Sequence, residues 1–121
     1  MSSLVQVELT HIQGVPVLRF RGELRLEVAE PERELNRLAA GRPPVVVLDF
    51  SGLTIISSLG MGLINAFRRG LHAYGGVTRI AAAQRDVLQA LTLCGLDRLF
   101  QMYDTVEAAV AAPAESAKQL S

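Results

Sequence analysis

The stretch VVVLDFSGLTIISSLGMG, residues 45–62, decides the fold of this chain. Its first four residues form an uninterrupted apolar run, which is typical of a strand covered on both faces. Asp49 and the pair Ser51-Gly52 carry turn chemistry and predict the end of that strand. A second apolar run leads to Ser57 and Ser58, where we expect a helix to begin. The stretch therefore predicts a serine hydroxyl at the carboxyl end of a strand, where open α/β sheets bind their ligands.

The helix that follows is predicted over residues 58–74 and has the clearest helical pattern in the chain. One apolar side chain recurs every four residues and predicts the buried face: Leu59, Leu63, Phe67 and Leu71. Ser58, Met61 and Asn65 then lie on the opposite, polar side of the helix. A methionine beside a polar rim suggests a contact with a partner protein.

Alternating and helical patterns continue on both sides of this stretch. Two alternating runs, 4–9 and 15–21, are joined by a turn at 12–14 and predict an antiparallel hairpin. Further helices are predicted over 26–40, 84–93 and 106–112, and further strands over 77–83 and 101–103. The order β-β-α-β-α-β-α-β-α predicts an α/β fold with a mixed, mostly parallel sheet and helices packed on it. This domain is predicted to cover residues 1–112, with a flexible tail over 113–121.

Composition argues against several classes of protein. Lys and Arg total 12, as do Asp and Glu, so the formal net charge is zero and cationic binding of nucleic acid is not indicated. No stretch approaches the roughly 20 apolar residues of a membrane helix, and the N-terminus does not resemble a signal peptide. We therefore expect a cytoplasmic protein. Cys94 is the single cysteine, sits in an apolar segment and is predicted to be buried.

The search for catalytic or metal-binding residues is negative. His11 and His72 have no metal-ligand spacing with each other or with Cys94, and both are expected on the surface. A triad of Ser58, His72 and Asp49 is excluded, because Ser58 and His72 lie about 21 Å apart on one helix. The sequence thus predicts a protein that is not an enzyme and that needs no cofactor or metal.

The two serines have two interpretations. Serine is a preferred N-cap residue, because its oxygen accepts a hydrogen bond from the first turn of the helix. The same place also tolerates a phosphate, because the N-terminus of a helix is partly positive. The residues by themselves leave both interpretations open.

Four segments resemble STAS domains, the family of bacterial anti-sigma factor antagonists. Residues 45–76, VVVLDFSGLTIISSLGMGLINAFRRGLHAYGG, are similar to the family's core motif, and Gly22-Glu23-Leu24 to the Gly-x-Leu that ends its hairpin. Residues 88–100, LQALTLCGLDRLF, resemble its late segment, and residues 105–109 its final helix. The resemblance spans nearly the whole chain and implies the mixed sheet described above.

The resemblance also implies a function and a site. Antagonist members bind an anti-sigma factor that is also a serine kinase, and thereby free a sigma factor. The kinase phosphorylates a serine or threonine at the start of the second helix, which breaks the complex. Alignment on Gly60 and Gly62 places this residue at Ser58. On this hypothesis the partner-binding residues are Asp49, Ser57, Ser58, Met61 and Asn65.

Three departures from the family pattern leave alternatives open. Ser57 replaces the Asp that precedes the phosphoacceptor, Leu59 replaces a small residue, and Arg25 replaces an Asp of many members. Ser57 is therefore an alternative acceptor. The domain is alternatively a scaffold that is not phosphorylated, in a stress-signalling assembly or a lipid-transport ABC system. A nucleotide or small-molecule sensor is a third hypothesis, and the sequence leaves a homodimer open.

Overall fold

The structure is a computed structural model that describes residues 4–113 of the 121-residue chain. The elements are, in order, β1 (Val5–Ile12), β2 (Val15–Leu24), α1 (Ala29–Ala40), β3 (Val45–Ile56), α2 (Ser58–His72), β4 (Val77–Ala81), α3 (Arg85–Leu93), a 3-10 turn (Leu96–Arg98), β5 (Gln101–Tyr103) and α4 (Val106–Ala111). This order confirms the predicted one. Of the tail predicted over residues 113–121, residues 114–121 lie outside the described residues.

The strands form one sheet in the order β1-β2-β3-β4-β5. β1 is antiparallel to β2, and every other neighbouring pair is parallel, which confirms the mixed, mostly parallel sheet. The hairpin turns at Gln13 and Gly14, whose φ angles of 52° and 81° are both positive. A two-residue turn of this kind matches the right-handed twist of the strands that it joins.

Both faces of the sheet are covered, but unequally. The larger core lies between the sheet and helices α1, α2 and α3, and includes the fully buried β3 side chains Val46, Leu48 and Phe50. On the opposite face, Val47 and Val17 pack in a smaller cluster with Ala109 and Val110 of α4. The buried run at the start of β3 is thus covered on both sides, as its composition predicts.

A buried arginine attaches α4 to the sheet. Arg79 of β4 is 1% exposed and donates hydrogen bonds to the carbonyls of Ala109 at 2.8 Å and Ala112 at 3.1 Å. It also donates to the Pro113 carbonyl at 3.2 Å and to the Gln101 side chain at 2.9 Å. The last carbonyls of a helix lack intrahelical partners, so the guanidinium satisfies them inside the protein.

The turn predicted at Ser51-Gly52 is wrong. β3 continues through these residues to Ile56, and its pairing with β2 shifts from Arg19–Asp49 to Arg21–Gly52. The additional β3 residue forms a bulge, which is a common use of glycine and small polar residues inside a strand. Only Ser57 separates the end of β3 from the start of α2.

The face of α2 predicted to be buried is also wrong in part. The buried residues are Gly60, Met61, Ile64, Phe67 and Leu71, whereas Leu59 is 51% exposed. The interior side of the helix is thus rotated from the predicted stripe, and Met61 contributes to the core.

Helix α3 buries Val87 and Leu91, and its Leu88 is 40% exposed. The prediction that Cys94 is buried is wrong. Cys94 is exposed, since it follows the last turn of α3 as its C-cap and does not enter the core. None of the helices within residues 4–113 is both long enough and apolar enough to cross a membrane.

Candidate functional site

Ser57 is the N-cap of α2, and its hydroxyl is engaged on both sides. The Oγ accepts a hydrogen bond from the Gly60 N–H at 3.2 Å and donates one to the Arg25 carbonyl at 2.8 Å. The Ser57 N–H donates to the Leu24 carbonyl at 2.9 Å. The N-cap interpretation is therefore confirmed for Ser57, which joins the start of α2 to the loop that follows β2.

Ser58 is the first residue of α2, and it is exposed. Within the described residues its hydroxyl has no hydrogen-bond partner, because Ser57 alone performs the capping. The first turn of α2 holds no acidic residue, so its N–H groups retain their partial positive charge. The structure thus places a free hydroxyl in solvent beside an electropositive helix end.

Gly60 allows α2 to approach the end of β2 closely. A Cβ at this position would lie 2.7 Å from the Leu24 carbonyl oxygen and 2.9 Å from the Leu24 Cγ. Real Cβ atoms do not approach a backbone oxygen so closely, so a side chain here would push the helix away. The glycine therefore fixes the position of Ser57 and Ser58 against the β2–α1 loop.

Exposed apolar side chains flank Ser58 in the chain, and another follows the loop residue that binds Ser57. Leu59 follows it and is 51% exposed, and Ile55, near the end of β3, is 40% exposed. Leu26 is 80% exposed and follows Arg25, whose carbonyl binds Ser57. We call Leu26, Ile55, Ser58 and Leu59 the serine surface. Clustered apolar side chains in solvent are typical of a protein-binding surface.

The sequence did not indicate the apolar part of this surface. The sequence pattern places Leu59 on the buried face of α2 and Leu26 at the start of α1, whereas α1 begins at Ala29. The available signal was a leucine between Arg25 and Glu27, in a segment too charged to be buried. An ion pair of 3.1 Å between Arg25 and Glu23 lies beside the surface, because Glu23 pairs in register with Ile55.

Asp49 is buried and does not belong to this surface, and its contact with a partner stays a prediction. Its side chain is 3% exposed, accepts a hydrogen bond from the Ser51 N–H at 2.9 Å and pairs with the Arg19 Nε at 3.2 Å. β3 continues from Asp49 to Ile56, which separates Asp49 from Ser58 by about 20 Å at the usual strand rise. The carboxylate instead stabilises the β3 bulge and lines a separate cleft of about 340 Å³ beside α4.

Met61 and Asn65 are both less exposed than their predicted place on the polar side of α2 implies. Met61 is 8% exposed and packs in the main core, so its predicted place on the polar side of α2 is wrong, and its contact with a partner stays a prediction. Asn65 is half-buried, and its side-chain oxygen accepts a hydrogen bond from the Arg68 Nε at 3.0 Å. Among the α2 residues predicted to bind a partner, Ser58 and part of the Asn65 side chain are therefore accessible to solvent.

The rest of the described chain offers little conventional active-site chemistry. His11 and His72 are both exposed, as predicted. Across residues 4–113, no three His, Cys, Asp or Glu side chains come together as metal ligands. Tyr74 is the titratable group with a clear shift in that range: burial raises its pKa, and the nearby Arg42 opposes this effect. Tyr74 lies beyond the opposite end of α2 from Ser58.

Comparison with known proteins agrees with this architecture. The family model of the STAS domain matches residues 6–109. The anti-sigma-F factor antagonist RsfB of Mycobacterium tuberculosis is 27% identical over 115 residues, which cover 88% of this chain and 87% of RsfB. The crystal structure of an anti-sigma factor antagonist from Mycobacterium paratuberculosis matches with a TM-score of 0.79 at 25% identity. The match covers 88% of this chain and 91% of that protein's chain. The phosphorylated form of SpoIIAA, a Bacillus cell fate determinant, shares the fold with a TM-score of 0.69 at 23% identity, over 87% of this chain and 96% of its own.

Proposed function

Since the chain belongs to the STAS domain family, we propose that it is an anti-sigma factor antagonist that binds its anti-sigma factor through the serine surface. The names of its relatives from two mycobacteria support this function. In this proposal the protein works in the cytoplasm by binding, without catalysis and without a cofactor. The anti-sigma factor is also the serine kinase that phosphorylates the protein, and phosphorylation ends the binding.

The observation that carries the proposal is the exposed hydroxyl of Ser58 in the serine surface. Ser57 is a poor acceptor, because a phosphate there would remove its hydrogen bond to the Arg25 carbonyl and disturb the cap. The Ser58 hydroxyl neither caps α2 nor binds a carbonyl, so a kinase can modify it without breaking a contact of the folded domain. We therefore favour Ser58 over Ser57 as the phosphoacceptor.

The same position explains how a phosphate would act as a switch. The group adds about −1.5 to −2 charges next to the N-terminus of α2, which tolerates an anion. The flanking Leu26, Ile55 and Leu59 bury against the partner, and a charge between them would have to lose its water. Phosphorylation therefore leaves the fold intact and opposes the complex.

A phosphorylation assay tests the choice of acceptor. The protein is incubated with ATP and with each anti-sigma factor kinase encoded in its genome, and the phosphate is located by mass spectrometry. We expect label on Ser58 in the wild type and in Ser57→Ala, and none in Ser58→Ala. Label confined to Ser57 would reject Ser58, and no label with any kinase that binds would favour the scaffold alternative.

A binding assay tests the switch and the surface together. By calorimetry against the kinase that labels or binds the protein, we expect Ser58→Asp and Leu59→Lys each to weaken binding by about tenfold or more, the scale of an interface hot spot. Ser58→Ala should bind like the wild type. Leu93→Lys is the matched control, because Leu93 is 80% exposed on α3, outside the serine surface. Wild-type affinity of the Leu59→Lys variant would exclude this surface as the docking site.

A further inference from the structure

The outer edge of β1 carries backbone groups that β2 does not use. The Leu4 carbonyl accepts a hydrogen bond from the Glu23 N–H at 2.9 Å, so the backbone of Leu4 faces β2. Backbone direction alternates along a strand, and the backbone groups of Val7, Leu9 and His11 therefore face outward. β1 is the first strand of the sheet, and within the described residues no strand pairs with this side.

This edge lacks several of the features that usually prevent pairing between sheets. The sequence of β1, VQVELTHI, contains no proline, lysine or arginine, and its register with β2 runs without a bulge from Val5 to Ile12. Two apolar side chains of this strand are partly exposed: Leu9 is 40% exposed and Ile12 is 37% exposed. The opposite edge, β5, has only three residues, so β1 is the longer of the two edge strands of the described sheet.

We propose that β1 pairs with β1 of a second copy of this chain, antiparallel, about a two-fold axis at Leu9. In this register Leu9 faces its own copy, Val7 faces His11, and Glu8 faces Thr10. The one acidic residue of β1 thus meets a neutral threonine, so no like charges stand directly opposite each other. The same strand forms both halves of the interface, which gives a closed dimer and one continuous sheet.

The side chains next to the axis also favour a second copy. Leu9 and His11 line a groove of about 290 Å³ between the hairpin and α1, with Leu18 and Leu38 in its wall. The second copy's Leu9 would arrive on this same face of the sheet, because residues directly opposite in an antiparallel pair share a face. Pairing therefore covers apolar surface in addition to supplying backbone hydrogen bonds.

This interface lies apart from the serine surface. Leu9 pairs with Leu18, and Leu18 pairs with Leu48 of β3. From Leu48, β3 runs on for about 26 Å to Ile56, at the usual rise per residue. A dimer through β1 is therefore compatible with partner binding at Ser58 in each copy. Failure of one proposal would leave the other unaffected.

Sedimentation analysis of the purified full chain over a range of concentrations provides the first test. We expect the wild type to be a dimer and two variants to be monomers. Val7→Pro removes an outward N–H that has no acceptor in β2, and Leu9→Lys places two cations on the axis. Circular dichroism checks that both variants fold, and Leu93→Lys is the exposed control that should stay dimeric. A wild type that stays monomeric at every soluble concentration would overturn the proposal. This holds even if β1 pairs with a strand of a different protein.

Cysteine cross-linking tests the register. In a Cys94→Ala background, Leu9→Cys should form an interchain disulfide on mild oxidation, because opposed residues in such a pair have Cα atoms about 5.5 Å apart. Thr10→Cys is the matched control, since residue 10 faces residue 8 and not its own copy. A dimer that cross-links through Thr10→Cys but not Leu9→Cys, or that survives Val7→Pro, would show that another surface or register forms it.

Discussion

At the scale of single residues, Ser57 and Ser58 have opposite roles although they are adjacent and chemically identical. Ser57 directs its hydroxyl to Gly60 and Arg25, whereas the hydroxyl of Ser58 stays in solvent. A helix needs one cap at the residue before its first turn, and the next residue already has helical geometry. The neighbouring serine is therefore free to act as the modified residue.

This difference predicts unequal losses of stability. Ser57→Ala should lower the free energy of unfolding by about 1 kcal/mol, because it removes an N-cap acceptor. Ser58→Ala should change it by less than about 0.5 kcal/mol, as is usual for an exposed residue without a contact. Urea denaturation of the two variants measures both values. Equal losses would show that Ser58 shares the capping of α2.

At the scale of elements, the position of α2 follows from its connection to β3. One residue, Ser57, joins the two elements, and Gly60 lets the helix pack against the end of β2. A short link leaves the helix little freedom to move relative to the strand. The serine surface is consequently held rigidly at the carboxyl end of β3, which would reduce the entropy that is lost in the proposed binding of a partner.

Helix α4 has six residues, and Arg79 of the sheet donates hydrogen bonds to two carbonyls at its C-terminal end. Arg79→Met should release α4, because the carbonyls of Ala109 and Ala112 lose their donor inside the protein. The cost is about 1–3 kcal/mol for each carbonyl left unpaired.

Hydrogen exchange followed by mass spectrometry measures the effect of Arg79→Met. Amide protection should fall in α4, while α2 keeps its protection. Arg33→Met, an exposed substitution on α1, is the control and should leave both helices unchanged. Unaltered exchange in α4 of the Arg79 variant would show that apolar packing alone holds this helix.

At the scale of the whole molecule, the stability should depend on pH through Tyr74. Its hydroxyl donates a hydrogen bond to the Pro43 carbonyl at 2.8 Å, and burial raises its pKa above the ordinary 10.0. The folded state thus favours the protonated phenol. Its contribution is complete below pH 10.0 and is lost as the pH rises through the higher pKa of the folded state.

Urea denaturation on both sides of pH 10.0 tests this dependence. The wild type should lose stability with rising alkalinity more steeply than Tyr74→Phe, which lacks the titrating group. Tyr103 is present in both proteins and serves as the internal control. Parallel losses of stability in the two proteins would mean that Tyr74 titrates alike in the folded and unfolded chains.

The sequence by itself determined the order of the elements, the hairpin, the mixed sheet and the helix start at Ser58. These features depend on signals within a few residues, such as the apolar run of β3 and the Gln13-Gly14 turn. The resemblance to STAS domains added the expectation that a serine here is modified. Periodicity was less reliable for the face of α2, because leucines recur there on both the buried and the exposed side.

Only the tertiary structure decided which side chains reach the surface. The close contact of Gly60 with Leu24 sets the rotation of α2, which buries Met61 and exposes Leu59. The pairing of β2 with β3 turns Ser51-Gly52 into a bulge and leaves Asp49 inside, beside Arg19. These outcomes depend on segments that are distant in sequence, and local propensity does not contain that information.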